Sequence, residues 1–339
     1  MDLSLFDYDL PKELIAQTPV EPRDHSRMLV LAEEGIIHDR FYHLNRYLKP
    51  GDLLVFNRTR VLPARLVGNK ADTGGRAECL LLHQVSPDVW SCLVKPGRRL
   101  APGTKLIFGE GGLEGVVEER TEEGGRLVRF IWRGDFEEAI NKAGQIPLPP
   151  YIHENLKNPE RYQTIYGDTP GSAAASTAGL HFTEGSLAQL RSMGVEFAQV
   201  LLHVGLGTFR PVSEPRIEDH KMHKEYYEVD EGTARAVNRA RAENRRVIAV
   251  GTTALRTLEA MGGGGTLRPG AGWTDLYIYP GYSFQLVDGL LTNFHLPKSS
   301  LLMLVSALAG RERILAAYQE AVREKYRFFS FGDAMLILS

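Results

Sequence analysis

The apolar positions of this chain change their period more than once. Residues 52–57, Asp-Leu-Leu-Val-Phe-Asn, follow the turn pair Pro50-Gly51 as a short unbroken apolar run, which predicts a buried strand. Beyond Pro63 the apolar runs are short and broken by Gly, Pro and Asp clusters. Residues 77–85, 89–94, 105–108, 115–118 and 127–132 show no helical period, and strands at that spacing predict a small β-barrel or sandwich. Phe136–Ala143 reads as a helix closing this segment, and Ile146-Pro-Leu-Pro-Pro-Tyr151 as a stiff extended connection.

From residue 172 onward strands and helices alternate. Residues 195–203 and 246–250 read as strands, the second followed by Gly251-Thr-Thr and a helix to Met261. Gly262 to Gly265 read as a flexible break, and 276–279 and 290–295 as further strands. Residues 299–309 read as a buried helix with Ser299 as N-cap and Gly310 as stop. Ile314, Leu315, Tyr318, Val322 and Tyr326 recur at helical spacing, and residues 334–338 close as a strand. This alternation predicts an α/β fold: a main domain of 1–60 and 146–339, with a mixed sheet and flanking helices, interrupted by an inserted β-barrel domain at 61–145.

Composition narrows the class. With 339 residues, 43% hydrophobic and 24% charged, the chain has the make-up of a globular protein with room for a large core. Its start, MDLSLFDYDL, is acidic and lacks the basic residues of a secretory or transit signal, and no apolar run reaches the length of a membrane span. Cys79 and Cys92 lie in apolar runs without CxxC spacing and read as reduced core thiols. A cytoplasmic protein is expected. A net charge of −2 excludes a uniformly basic coat but leaves room for a few phosphate contacts on one face.

Five stretches place Gly, His, Thr, Arg and Tyr where a plain core would use Leu or Val. They are Gly171-Ser-Ala-Ala-Ala-Ser-Thr-Ala-Gly-Leu-His-Phe-Thr183, Leu202-His-Val-Gly-Leu-Gly-Thr-Phe-Arg210, His220-Lys-Met-His-Lys-Glu-Tyr-Tyr227 and Val250-Gly-Thr-Thr-Ala-Leu-Arg256. The fifth joins Tyr279-Pro-Gly-Tyr282, Thr292-Asn-Phe-His295 and Tyr326-Arg-Phe-Phe-Ser-Phe-Gly-Asp333. Small residues let a backbone approach a ligand, and the Gly251-Thr-Thr turn offers amides and hydroxyls to an anion. Each also has a plainer reading. A single histidine is more often a structural hydrogen-bonder, Thr252 and Thr253 can be caps, and Gly205-x-Gly207 lacks the third glycine of a dinucleotide fingerprint. His220 and His223 form only an HxxH without a cysteine. Tyr326, Phe328, Phe329 and Phe331 read as core rather than as a base-stacking platform. Lys95, Arg98, Arg99 and Lys105 fit phosphate contacts and a solvated loop equally well.

Together these stretches resemble the S-adenosylmethionine:tRNA ribosyltransferase-isomerase family of queuosine biosynthesis, nearly end to end. The resemblance also rests on Phe6-Asp-Tyr-Asp-Leu-Pro11, Arg23-Asp-His-Ser-Arg27, DLLVFNRTRVLPARL, LLMLVSALAG and YRFFSFGDAMLI. Arg58, Ser176, Ala254 and Leu308 depart from the family's usual residues, which bears on local loop shape. The resemblance implies an α/β domain interrupted by a β-barrel. It implies an enzyme that transfers and isomerises the ribosyl group of S-adenosylmethionine onto 7-aminomethyl-7-deazaguanine at the tRNA wobble position, giving epoxyqueuosine with release of adenine and methionine. S-adenosylmethionine is then a consumed substrate, with no cofactor and no metal, and the partner is a tRNA anticodon loop bound by a monomer.

That chemistry needs proton acceptors and a donor near neutral pH, for which His181, His203, His223 and His295 are the catalytic candidates, with His220 beside them and His181 and His203 expected closest to the ribose. Tyr279 or Tyr282 suits a sulfonium cation. Arg256, Thr252 and Thr253 suit the methionine carboxylate, and Arg210 a carboxylate or phosphate. Thr183, Gly205, Gly207 and Asn293 complete the expected binding residues, Asn293 for a base edge or ribose hydroxyl. Two other classes remain open on the residues: a metal-dependent hydrolase built on His181, His203, His220 and His223, and a non-catalytic RNA-binding protein.

Overall fold

The structure is a computed structural model that describes residues 1–110, 112–121, 124–154, 156–205 and 212–338. In chain order, β1 (Arg27–Ala32) and β2 (Gly35–Arg40) form an antiparallel hairpin, and β3 (Leu53–Asn57) follows. Six short strands come next: β4 (Arg65–Lys70), β5 (Arg76–Ser86), β6 (Val89–Lys95), β7 (Lys105–Phe108), β8 (Leu113–Arg120) and β9 (Arg126–Trp132). Helix α1 (Phe136–Ala143) closes this stretch. The chain continues through α2 (Glu184–Ser192), β10 (Glu196–Leu202), β11 (Glu225–Val229), α3 (Glu231–Ala242) and β12 (Val247–Val250). It ends with α4 (Thr252–Met261), β13 (Gly270–Thr274), β14 (Gly289–Asn293), α5 (Ser300–Ala309), α6 (Arg311–Arg323) and β15 (Ala334–Leu338).

The chain divides into two compact units, one of residues 1–59, 150–169 and 175–339, the other of residues 60–149 and 170–174. In the larger unit nine strands form one mixed sheet in the order β13-β11-β10-β3-β12-β14-β15-β1-β2. β10, β3, β12 and β14 run parallel to one another, β15 runs against β14, and β1 runs parallel to β15. β3 is apolar from Leu53 to Phe56 because both of its faces are covered. Leu53 and Val55 join the core that includes α3 to α6, and Leu54 and Phe56 join the opposite core around Phe41, Phe182 and Leu187. The fold class is therefore a mixed α/β sheet with helices, as the alternation predicts.

The smaller unit is a six-stranded antiparallel barrel, ordered β4-β5-β6-β9-β8-β7 and closed by pairing of β7 with β4. Closure brings the Ile107 carbonyl so near Gly68 that a Cβ there would stand 2.1 Å from it, so only glycine fits that crossing. Cys79 and Cys92 are free thiols buried in the barrel core, and burial pushes the Cys79 pKa up to about 12.

Two local expectations need correction. Residues 276–279 are not a strand: the Leu276 amide is bonded by the Thr274 hydroxyl and its carbonyl by Arg256, so side chains occupy the groups a ladder would use. The strand of that region is β13, whose Gly-Ala-Gly-Trp-Thr carries almost no apolar signal. Gly262 to Gly265 is not a bare break either, since Gly262–Gly263 pairs with Thr266–Leu267 in a short hairpin. Among the described residues no helix is long and apolar enough to cross a membrane.

Candidate active site

Four parallel strands end on the same side of the sheet, and the segments that leave β10, β12 and β14 shape a cleft. β3 ends at Asn57, β10 leads into His203 and Val204, β12 into Gly251, and β14 into Phe294 and His295. Loops beyond the carboxyl ends of parallel strands are where open α/β sheets bind ligands. The cleft is lined by Ala175, Ser176, Thr177 and Ala178 from one loop, by Gly251, Thr252 and Thr253, and by Thr292 to Pro297. Val204, Ser299, Leu301, Tyr151, Phe329 and Ser330 complete the wall.

Local sequence explains how each piece is held. Gly251 has φ +89, and a Cβ on it would stand 2.8 Å from the Ser176 hydroxyl, so the turn into α4 requires glycine. Ser176 also bonds the Thr253 hydroxyl at 3.1 Å, which ties the small-residue loop to the first turn of α4. No side chain caps α4, whose first amides open onto the cleft wall with Thr252 and Thr253.

His181 and His295 are buried and His203 is half-buried, and desolvation favours the neutral form of all three. Desolvation lowers His181 from the ordinary 6.5 to about 4, with Asn293 opposing that shift and Arg161, Arg327 and Arg23 adding to it. Desolvation lowers His203 to about 4, with a smaller effect of Arg58, and His295 to about 3. His181 stacks on Phe41 and takes the Ser26 hydroxyl on Nδ1 at 2.7 Å. Its Nε2 lies toward Asn293, a cleft residue whose Nδ2 donates to the Phe329 carbonyl at 2.9 Å. That bond orients the amide so that Oδ1 is the free acceptor, buried without a hydrogen-bond partner among the described residues. His181 Nε2 is likewise buried without a hydrogen-bond partner among the described residues, and with Ser26 donating to Nδ1 the ring carries its proton on Nε2. His295 bonds Thr292 through Nε2 at 3.0 Å, donates its amide to the Tyr318 oxygen, and accepts from Tyr8 on its carbonyl.

Of the residues singled out from sequence, Thr252, Thr253, Asn293 and His295 line the cleft, and His181 abuts it through Asn293. Val204 lines it, but the His203 ring turns to the Thr59 hydroxyl at 2.9 Å and stacks on Tyr226. Arg256 is buried in an ion pair with Glu225 and donates to the Leu276 carbonyl, while Glu225 also accepts the Gly205 amide at 2.9 Å. Thr183 caps α2 and bonds Asp24. Tyr279 packs on Tyr277, Tyr282 donates to Glu259, and His220 pairs with Glu214, while His223 is half-buried away from the cleft wall. Gly207 and Arg210 lie outside the described residues. Tyr151, Thr292, Phe329 and Ser330 line the cleft although sequence reasoning gave them no binding role. The described residues hold no group of three or more His, Cys, Asp or Glu placed to bind a metal ion.

A parallel-strand cleft with buried neutral imidazoles, hydroxyls and an open helix start, in a chain that also carries an antiparallel barrel, defines an α/β enzyme with a β-barrel insert. The family profile described as queuosine biosynthesis protein matches residues 3–337. The S-adenosylmethionine:tRNA ribosyltransferase-isomerase of Carboxydothermus hydrogenoformans is 60% identical over the whole of both chains, and that of Heliobacterium modesticaldum 58%. The crystal structure of S-adenosylmethionine tRNA ribosyltransferase from Thermotoga maritima matches with a TM-score of 0.57 at 41% identity, covering 99% of this chain and 100% of that one. The chain belongs to the S-adenosylmethionine:tRNA ribosyltransferase-isomerase family of queuosine biosynthesis.

Proposed function

We infer that this enzyme transfers and isomerises the ribosyl group of S-adenosylmethionine onto the 7-aminomethyl-7-deazaguanine of tRNA, forming epoxyqueuosine and releasing adenine and methionine. The observation that carries the reading is identity of 60% along the full length of a relative with that activity in its name. The cleft supports it with the kinds of groups the reaction needs.

The sulfonium acidifies the C5′ hydrogens, a base removes one, adenine departs, and the neutral aminomethyl nitrogen attacks C1′. His295 is neutral on the cleft wall and is assigned as a proton acceptor. His181, holding its proton on Nε2, is assigned as a neutral hydrogen-bond donor to the ribose or to the departing base rather than as an imidazolium acid. The methionine carboxylate is assigned to the first amides and hydroxyls of α4 at Thr252 and Thr253, where an anion meets the positive end of the helix. Arg256 keeps Glu225 in place and through it the Gly205 amide, so its role is to hold the loop after β10. The RNA partner is assigned as the anticodon loop, whose unpaired wobble base a cleft can enter, and the enzyme is assigned to the cytoplasm as a monomer.

The test is incubation with S-adenosylmethionine and an anticodon stem-loop carrying the aminomethyl deazaguanine. Free adenine with a ribosyl-sized mass gain on the RNA is expected. A methyl-sized gain, or no adenine, overturns the assignment.

A further inference from the structure

One wall of the cleft is aromatic in a way the reaction scheme does not call for. Phe329 sits in left-handed backbone conformation at φ +72, a region that bulky side chains rarely occupy. Three backbone and side-chain contacts hold it there: its amide bonds the Phe294 carbonyl, and its carbonyl receives both the Asn293 side chain and the Gly332 amide. Held this way, Phe329 lines the cleft and meets the ring of Tyr151, with centroids 4.4 Å apart and planes inclined by 37°. The Tyr151 hydroxyl bonds Ser330, which fixes the second ring from the far side. Beside the pair stands Asn293, whose Oδ1 has no hydrogen-bond partner among the described residues.

We propose that Tyr151 and Phe329 form a stacking platform for a purine ring, with Asn293 Oδ1 accepting from an N–H on that ring's edge. The physical grounds are independent of one another. An aromatic wall suits the face of a heteroaromatic base, and an acceptor beside it suits an exocyclic or ring N–H. Backbone strain kept in place by bonds from Asn293 is of the type that persists where a ligand surface needs it. The proposal rests on the reaction inferred above, which brings two such rings to one site: the adenine of S-adenosylmethionine and the deazapurine at the wobble position. The platform takes one of them.

Phe329→Leu and Tyr151→Leu separate these sources. Each keeps an apolar side chain and removes the ring, and Tyr151, half-buried, gives a usable variant should Phe329→Leu fail to fold. Affinity is measured by titration calorimetry for S-adenosylmethionine alone and for the modified stem-loop alone. Loss of one stacked base is expected to weaken one of the two by about five-fold or more. Weakened S-adenosylmethionine binding assigns the platform to adenine; weakened stem-loop binding assigns it to the deazapurine. Unchanged affinity for both in a folded variant overturns the platform, even where the wild-type enzyme releases adenine normally. Absence of adenine release by the wild-type enzyme overturns the reaction instead.

Discussion

A guanidinium buried at position 256 has to be answered by a carboxylate, and Glu225 is what answers it, with each side chain only 4% exposed. Removing one partner strands the other charge in a dry interior. Glu225→Ala is expected to lower unfolding free energy by about 3–5 kcal/mol, measured by urea denaturation, with the Gly205 amide losing its acceptor in the same change. The histidines make the opposite kind of statement. His181 and His295 hold pKa values of about 4 and about 3, so both stay neutral far below the ordinary 6.5. The pH profile of kcat/KM for the free enzyme is therefore expected to show no acid limb near 6.5, with any histidine-linked loss appearing only toward pH 4. A break near 6.5 would show that another, unburied group controls the rate. His181→Ala is expected to slow adenine release by about 100-fold or more in a single-turnover assay, while Thr183→Ala, which removes a helix cap, acts on stability. Sequence put His181 among the catalytic candidates and Thr183 among the binding ones, and gave no sign that Thr183 caps α2. His181 and Thr183 are two positions apart, yet the ring of one bonds Ser26 and stacks on Phe41 while the hydroxyl of the other bonds Ser186 and Asp24.

At the scale of elements, the turn into α4 and the start of α5 face the same cleft from two directions. Gly251→Ala places a methyl group against Ser176 and asks for a left-handed alanine, so weaker S-adenosylmethionine binding and a lower melting temperature are expected together. Ser299 caps α5 by accepting from the Leu302 amide, and its replacement by Ala is expected to cost about 1 kcal/mol, read from thermal unfolding. That cap, the α5 span and the closing strand were legible because local chemistry decides them: a hydroxyl before an apolar run, a glycine after it. β13 was not legible, because Gly270-Ala-Gly-Trp-Thr274 forms a strand through pairing with β11 and not through its own pattern. The aromatic wall was hidden for a related reason. Residues 326–331 are as apolar as a core segment, and Tyr326 and Phe328 are fully buried, but a left-handed residue at 329 brings that ring to the cleft. Nothing in a one-dimensional pattern announces the sign of a φ angle.

Across the whole molecule, burial of His181, His203 and His295 links folding to protons. Each has a folded value below the 6.5 of the unfolded chain, so the unfolded state binds more protons in the window between them. Their contribution to stability is fully present above pH 6.5 and drains away as the pH falls toward about 4 for His181 and His203 and about 3 for His295. The melting temperature is expected to drop through that window, and replacing His295 with Gln should flatten the drop. An unchanged slope in that variant would assign the acid sensitivity to other groups. The α/β alternation and the barrel insert were readable from periodicity, whereas the strand order was not, because pairing between distant segments leaves no local mark.

The placement of β15 between β14 and β1 has one more consequence. Residue 334 lies beside Met28, so β15 fills a slot framed on one side by a strand far from it along the chain. A ribosome that has delivered everything up to α6 has produced a sheet with a gap in its middle and two raw edges facing it. Until that slot is filled, β14 and β1 each present an unpaired ladder of amides and carbonyls, so the two parts of the sheet join only when residues 334–338 dock between them.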